Sequence, residues 1–217
     1  AHQKAKKNLI DFVNLRCNVG MNYDDLTIGF ARRATAYKRP DLLISDIDRL
    51  KEITEKHGKL QIIYAGKAHP KDGGGKDIIR RIVNTSKHLN ENIKIAFIQN
   101  YDITLGKLIT AGVDLWLNTP RRPLEASGTS GMKSAHNGVP QFGTLDGWWL
   151  EGCIDNITGW SIGPEKTEDQ QSDDEIDRTD LYEKLDSIIF PKFYKDRDNW
   201  IRTMRSCIAI NASFFNT

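Results

Sequence analysis

The stretch Leu26-Thr27-Ile28-Gly29-Phe30-Ala31-Arg32-Arg33-Ala34 is a β-type run that closes on two arginines. Similar short runs follow at residues 60–65, 93–98 and 114–117, with a weaker one at 139–145. Helical stretches lie between them. Residues 41–57 carry helical apolar spacing and stop at Gly58, a good C-terminal breaker, while 77–89 and 104–110 fill the next gaps. Ahead of the first run, Leu9, Ile10, Phe12, Val13 and Leu15 recur as on an amphipathic helix. Strands alternating with helices imply βαβ units and an α/β, Rossmann-like, doubly wound, mainly parallel sheet. In such sheets ligands sit where the carboxyl ends of strands lead into helices.

The chain has 217 residues, enough for one well-buried domain and too few for two large ones. A composition of 39% hydrophobic and 28% charged residues excludes a mostly disordered or fibrous chain. Lys+Arg 31 against Asp+Glu 29, with no basic block, gives no sign of a nucleic-acid surface. No apolar run approaches the roughly 20 residues that span a bilayer. The start, Ala1 to Lys7, is charged and lacks the apolar core of a signal peptide. Cys17, Cys153 and Cys207 are odd in number and far apart, which argues against a disulfide framework or a metal site. A reducing, cytoplasmic location is expected.

Three regions are expected: 1–163 as the Rossmann-like domain, 164–180 as an acidic loop, and 181–217 as C-terminal helices. The middle region holds Glu165, Glu168, Asp169, Asp173, Asp174, Glu175 and Asp177 with almost no apolar residues, so it reads as solvated. Residues 181–190 and 199–210 read as two helices separated near Pro191. The chain ends on Phe214-Phe215-Asn216-Thr217 without a terminal cap, as if cut within a longer protein.

The most informative segment is Glu125-Ala126-Ser127-Gly128-Thr129-Ser130-Gly131-Met132-Lys133, continuing to Asn137-Gly138. A small-residue loop leading into a helix presents amides, hydroxyls and a helix N-terminus, which together form an anion cradle. The Gly-Lys-Ser/Thr order of a Walker loop is absent. By chemistry alone, a plain turn with Lys133 on the surface fits as well.

This segment closely resembles the signature of the glycogen and maltodextrin phosphorylases, and Gly143-Thr144-Leu145-Asp146-Gly147 also fits that family. The resemblance implies that Lys133 forms a Schiff base with pyridoxal 5'-phosphate. It further implies that Gly128 and Thr129 bind the cofactor's phosphate, while Glu125 and Ser127 contact the hydroxyls of the glucosyl unit. Residues 30–39 resemble the family's basic segment. Arg33 and Lys38 fall on residues that hold the substrate phosphate, and Arg32 on a cation near the cofactor phosphate. Gln99-Asn100-Tyr101 matches a strand end whose Tyr, here Tyr101, packs by the cofactor ring. Gly66-Lys67-Ala68 also resembles a family segment. Next to it, His69 reads as structural and Gly73-Gly74-Gly75 as a flexible turn.

Departures at Ser130-Gly131, Thr35-Ala36, Asp102 and Trp148-Trp149 resemble the short bacterial and archaeal branch, and put allosteric control of the animal kind in doubt. The implied activity is phosphorolysis of α-1,4-glucan by inorganic phosphate, with retention, to glucose 1-phosphate. The implied fold is the C-terminal half of a GT-B glycosyltransferase. That cleft needs a missing N-terminal domain, to which residues 181–217 would cross back. The chain alone is therefore expected to have little activity, and an uncovered apolar face could make it a homo-oligomer. Two other readings remain: a nucleotide-sugar-dependent GT-B glucan synthase-like domain, which needs no Schiff-base lysine, and a non-catalytic carbohydrate-binding domain. In the latter, Trp148, Trp149 and Trp160 would stack on sugar rings.

Overall fold

The computed structural model describes residues 1–89, 91–164 and 173–216. Six strands form one sheet: β1 (Leu26–Ala31), β2 (Leu60–Ala65), β3 (Ile93–Ile98), β4 (Leu115–Asn118), β5 (Gln141–Thr144) and β6 (Gly159–Ile162). Every pairing is parallel and the spatial order is β3-β2-β1-β4-β5-β6. This is the doubly wound α/β arrangement expected, with the winding reversing between β1 and β4.

All six residues of β1 and of β2 are buried, as they must be in a sheet covered on both faces. Alternation sorts them. Leu26, Ile28, Phe30, Ile62 and Tyr64 enter one core, beneath α2 (Ile47–His57), α3 (Gly73–Thr85) and the C-terminal helices. Ala31, Ile63, Ala65 and Trp116 enter the other, beneath α1 (His2–Cys17) and α4 (Ile103–Gly112). A slip of one residue would exchange these sets, so both cores together fix the register.

Several elements differ from expectation for local reasons. Helix α2 starts at Ile47 rather than residue 41, because the Asp46 side chain accepts the Arg49 N–H at 3.0 Å and caps it. Helix α3 starts earlier than expected. Asp72 accepts the Gly75 N–H at 2.8 Å, so the three glycines form its first turn rather than a flexible one. Helix α5 spans Thr129–His136, the short α6 spans Trp149–Gly152, and β6 has no counterpart among the expected strands.

The expected acidic loop is helical from Asp174 onward. Asp173 caps α7 (Asp174–Lys184), accepting the Glu175 N–H at 2.8 Å, and the acidic residues crowd the positive end of its dipole. Glu165, Glu168 and Asp169 lie outside the described residues. Nor does Pro191 separate two helices. A π-helical turn, Leu185–Ile189, carries α7 into α8 (Phe190–Lys195), and Pro191 follows directly on that turn. The break falls at Asp196, which caps α9 (Arg197–Ser206). No described helix is long and apolar enough to cross a membrane.

Helix α1 is pinned beneath the amino ends of the strands by a buried ion pair. Lys6 Nζ lies 2.6 Å from Asp114 Oδ2 and also donates to the Asp25 carbonyl at 2.7 Å. The same carboxylate accepts the Thr27 N–H at 2.9 Å and faces His2 at 3.2 Å. Burial pushes the Asp114 carboxyl up, but Lys6 and His2 outweigh it and hold the group below the ordinary carboxylate value. Removing one partner strands the other's charge, so Lys6→Met should destabilise the fold by about 3–5 kcal/mol in urea titrations at neutral pH. A lowered folded-state value means that Asp114 stabilises above the ordinary carboxylate range and loses that contribution as pH falls through the lowered value. The gap between wild type and Lys6→Met should therefore narrow in acid.

Candidate functional site

The loops that leave β1 and β4 meet where the winding reverses. Arg32 follows β1 directly, and its N–H extends the ladder to the Ala65 carbonyl at 3.1 Å. Its guanidinium turns toward β4, where Nη1 donates to the Asn118 side-chain oxygen. Its other arm, Nη2, lies 2.7 Å from Glu125 Oε1. Lys38 closes a single turn, Ala36–Lys38, and its ammonium lies 2.9 Å from Glu125 Oε2. One carboxylate is thus held between two cations. All three side chains are nearly buried, at 8%, 5% and 9% exposure for Arg32, Lys38 and Glu125. Burial pushes the Glu125 carboxyl up, but the hydrogen bonds and charges of Arg32 and Lys38 prevail and hold it below its ordinary value.

Both loops are laced together by backbone. The Thr119 hydroxyl lies 3.0 Å from the carbonyls of Lys38 and Arg39, and the Arg121 N–H donates to the Tyr37 carbonyl at 2.6 Å. Asp146, after β5, secures the start of the signature segment. It accepts the N–H of Glu125 at 2.8 Å and that of Gly147 at 2.9 Å. Burial raises the Asp146 carboxyl above its ordinary value despite these two donors. The Trp148 N–H then binds the Ser127 carbonyl at 2.7 Å.

Gly128 precedes α5 with φ of 85°, a left-handed conformation that glycine adopts without strain, and no side chain caps the helix. Among the described residues, the first amides of α5 therefore have no side-chain acceptor. A Cβ on Gly131 would run into the Gln141 carboxamide and the Trp148 indole, so the helix can sit this low only with glycine there. Among the described residues, three buried polar atoms near this end have no hydrogen-bond partner, Asn118 Nδ2, Ser130 Oγ and Gln141 Nε2. The Asn118 nitrogen would lie 3.5 Å from a Cβ built on Gly128. One turn along, Lys133 is exposed, and its ammonium makes no ion pair among the described residues.

The residues expected from sequence are thus partly gathered. Arg32, Lys38 and Glu125 share one cluster, with Ser127, Gly128 and Thr129 continuing the same loop toward Lys133. Arg33 is exposed and outside the cluster, because successive side chains at a strand end face opposite ways. Tyr101 packs at the edge of the α1/α4 core, with its hydroxyl over Gly106. Its hydroxyl is raised by burial and by Asp102. Trp148, Trp149 and Trp160 are core residues at 3%, 0% and 0% exposure, so they offer no platform for stacking a sugar.

Sequence reasoning assigned no role to Asn118, or to Asp146 and Arg39 within the segments 143–147 and 30–39. Arg39 is buried and binds Asp174 at 2.8 Å, Asp177 at 2.7 Å and the Thr119 carbonyl at 2.9 Å.

Residues 1–160 match the family model described as carbohydrate phosphorylase. A maltodextrin phosphorylase of Thermococcus litoralis is 40% identical over an alignment covering all of this chain and 28% of that protein. Glycogen phosphorylases of Aquifex aeolicus and Mycobacterium tuberculosis are 44% and 42% identical, over 87% and 83% of the chain. The chain spans 28% and 22% of their respective lengths. Asp146→Ala would leave two loop N–H groups without their acceptor and should cost about 1–3 kcal/mol in urea unfolding. Asp146→Asn should recover part of that loss, since its one carbonyl oxygen can still accept.

Proposed function

Because the chain belongs to the carbohydrate phosphorylase family, we propose that it is the cofactor- and phosphate-binding part of an α-glucan phosphorylase. The whole protein would release glucose 1-phosphate from α-1,4-glucan with inorganic phosphate. The observation that carries this reading is the buried Arg32–Glu125–Lys38 cluster, placed beside a glycine-led helix that bears an exposed lysine.

The residues present fit pyridoxal 5'-phosphate. Among the described residues, the start of α5 offers amides with no side-chain acceptor, and three buried polar atoms without partners lie near it. Lys133 would anchor the cofactor through its amine. Gly128 and Thr129 would receive the phosphate, with Arg32 balancing its charge and Tyr101 flanking the ring. When bound, the cofactor supplies a phosphate group able to exchange a proton with substrate phosphate.

The chain's own residues do the positioning. Lys38 and Arg33 would hold inorganic phosphate, and Glu125 and Ser127 would accept and donate hydrogen bonds at the glucosyl hydroxyls. A carboxylate placed this way favours sugars that carry those hydroxyls, since each donates a hydrogen bond to it. Holding two phosphates and a sugar at hydrogen-bond range converts an encounter into a reaction within one complex.

Residues 1–163 would form this half of a GT-B cleft, and 181–217 the helices that return to an N-terminal domain of the same protein. Assembly as a homo-oligomer and a cytoplasmic location complete the proposal. Incubation with pyridoxal 5'-phosphate should give the imine absorbance band and, after borohydride reduction, a stable adduct mapped to Lys133. Lys133→Ala should abolish both. A wild-type chain that never acquires the adduct overturns the reading.

A further inference from the structure

Among the described residues other than glycine, four have a left-handed backbone: Asn18, Asn100, Asn156 and Arg39. Asparagine adopts that conformation readily, whereas a long side chain such as arginine does so at a cost. Arg39, at φ of 43°, is therefore the most strained of the four. It directly follows the turn Ala36–Lys38, which aims the Lys38 ammonium at Glu125. The φ of Arg39 sets the angle at which this turn meets the chain beyond it. A relaxed, negative φ would swing Lys38 away from Glu125. Such a backbone persists only where its surroundings over-determine it.

The surroundings of Arg39 do this through its side chain. Its guanidinium is buried, with Nε donating to the Thr119 carbonyl at 2.9 Å and Nη2 to the Pro120 carbonyl at 3.2 Å. Its charge is met on α7, by Asp174 at 2.8 Å and Asp177 at 2.7 Å. These two carboxylates are not equivalent. Asp174 is 49% exposed and shared with Arg121, so its pairing contributes little. Asp177 is fully buried, and Arg122 lies 3.5 Å from its other oxygen. A Cβ on Gly163 would run into that same oxygen, so the carboxylate is seated against the end of β6 and cannot follow a guanidinium that moves. Thr119 is the other tie on this turn, with its hydroxyl 3.0 Å from the carbonyls of Lys38 and Arg39. A hydroxyl has one proton to donate, which makes this the lesser tie.

We infer that Asp177 on α7 is the positioning residue for Lys38: by holding the buried Arg39 guanidinium, it enforces the left-handed backbone that aims the Lys38 ammonium at Glu125. The task that Lys38 performs rests on the phosphorylase reading, but its positioning does not. A helix outside the sheet thus governs one of the two cations at the crevice and not the other. Arg32 is held from the floor by Asn118, so it keeps its place when α7 lets go. Lys38 does not.

The test reads Lys38 directly, in the chain without cofactor or phosphate. Trace acetylation with acetic anhydride at neutral pH is followed by peptide mass spectrometry, with exposed Lys133 as the internal reference. In the wild type Lys38 should label slowly, because its side chain is buried and paired. Asp177→Asn should raise its labelling about tenfold, the factor that matches the strain of a non-glycine residue at such a φ. Lys6→Met weakens the fold from the opposite end of the sheet and should leave Lys38 labelling unchanged, which separates positioning from general stability. If Asp177→Asn folds poorly, both charges are removed together. Arg39→Gly with Asp177→Asn should keep Lys38 protected, since glycine takes the left-handed backbone without strain, whereas Arg39→Ala with Asp177→Asn should expose it. Equal labelling in the glycine and alanine pairs, or a rise in Lys6→Met that matches Asp177→Asn, would overturn the inference. So would exposure of Lys38 by Thr119→Val and not by Asp177→Asn, which would give the turn to Thr119. A chain that binds no inorganic phosphate would sink the task assigned to Lys38 and leave its positioning standing.

Discussion

A parallel sheet wound outward in both directions from its first strand has one place where neighbouring strands send their chains to opposite faces. Here that place lies between β1 and β4, and the rest of the molecule is organised by it. Helices cover the sheet elsewhere, but the diverging loops leave a crevice at the carboxyl ends of these two strands. Arg32 and Asn118 are the residues delivered to its floor, and they bind each other. Thr119 then fastens the β4 loop to the turn that carries Lys38. The position of the charged cluster thus follows from winding order before any chemistry is considered.

The opposite end of the sheet solves a different problem. Asp114 is fully buried, and it is tolerable only because Lys6, His2 and the Thr27 amide all address it. Both ends use the same device, a carboxylate surrounded by donors. Their surroundings differ. Asp114 sits under α1 with its backbone partner fixed, whereas the Glu125 side chain hangs from a loop whose backbone is tied down separately by Asp146.

Much of this was legible in the sequence where information is local. The alternation of apolar runs with helical spacing predicts the sheet, and the small-residue segment 125–133 predicts a loop entering a helix. What escaped depends on partners distant along the chain. Arg39 and Asp177 are 138 residues apart, and nothing around either announces the other. The acidic run after residue 172 looks solvated because its neutralising arginines, Arg39, Arg121 and Arg122, come from elsewhere. Arg33 lies outside the cluster for a different reason. Adjacent residues at a strand end face opposite ways, so here Arg32 meets Glu125 and Arg33 does not.

The Arg39 contacts bear on how the protein can be divided. Arg39 is almost fully buried, and its charge is met by Asp174 and Asp177 on the first turn of α7. A chain ended after β6 would keep every strand of the sheet. It would also leave a buried guanidinium without its counter-ions, one residue from Lys38. The smallest piece that can present the charged cluster intact is therefore longer than the sheet itself and must include the first turns of α7. Autonomy in this fold is set by where charges are balanced, and not by where the strands end.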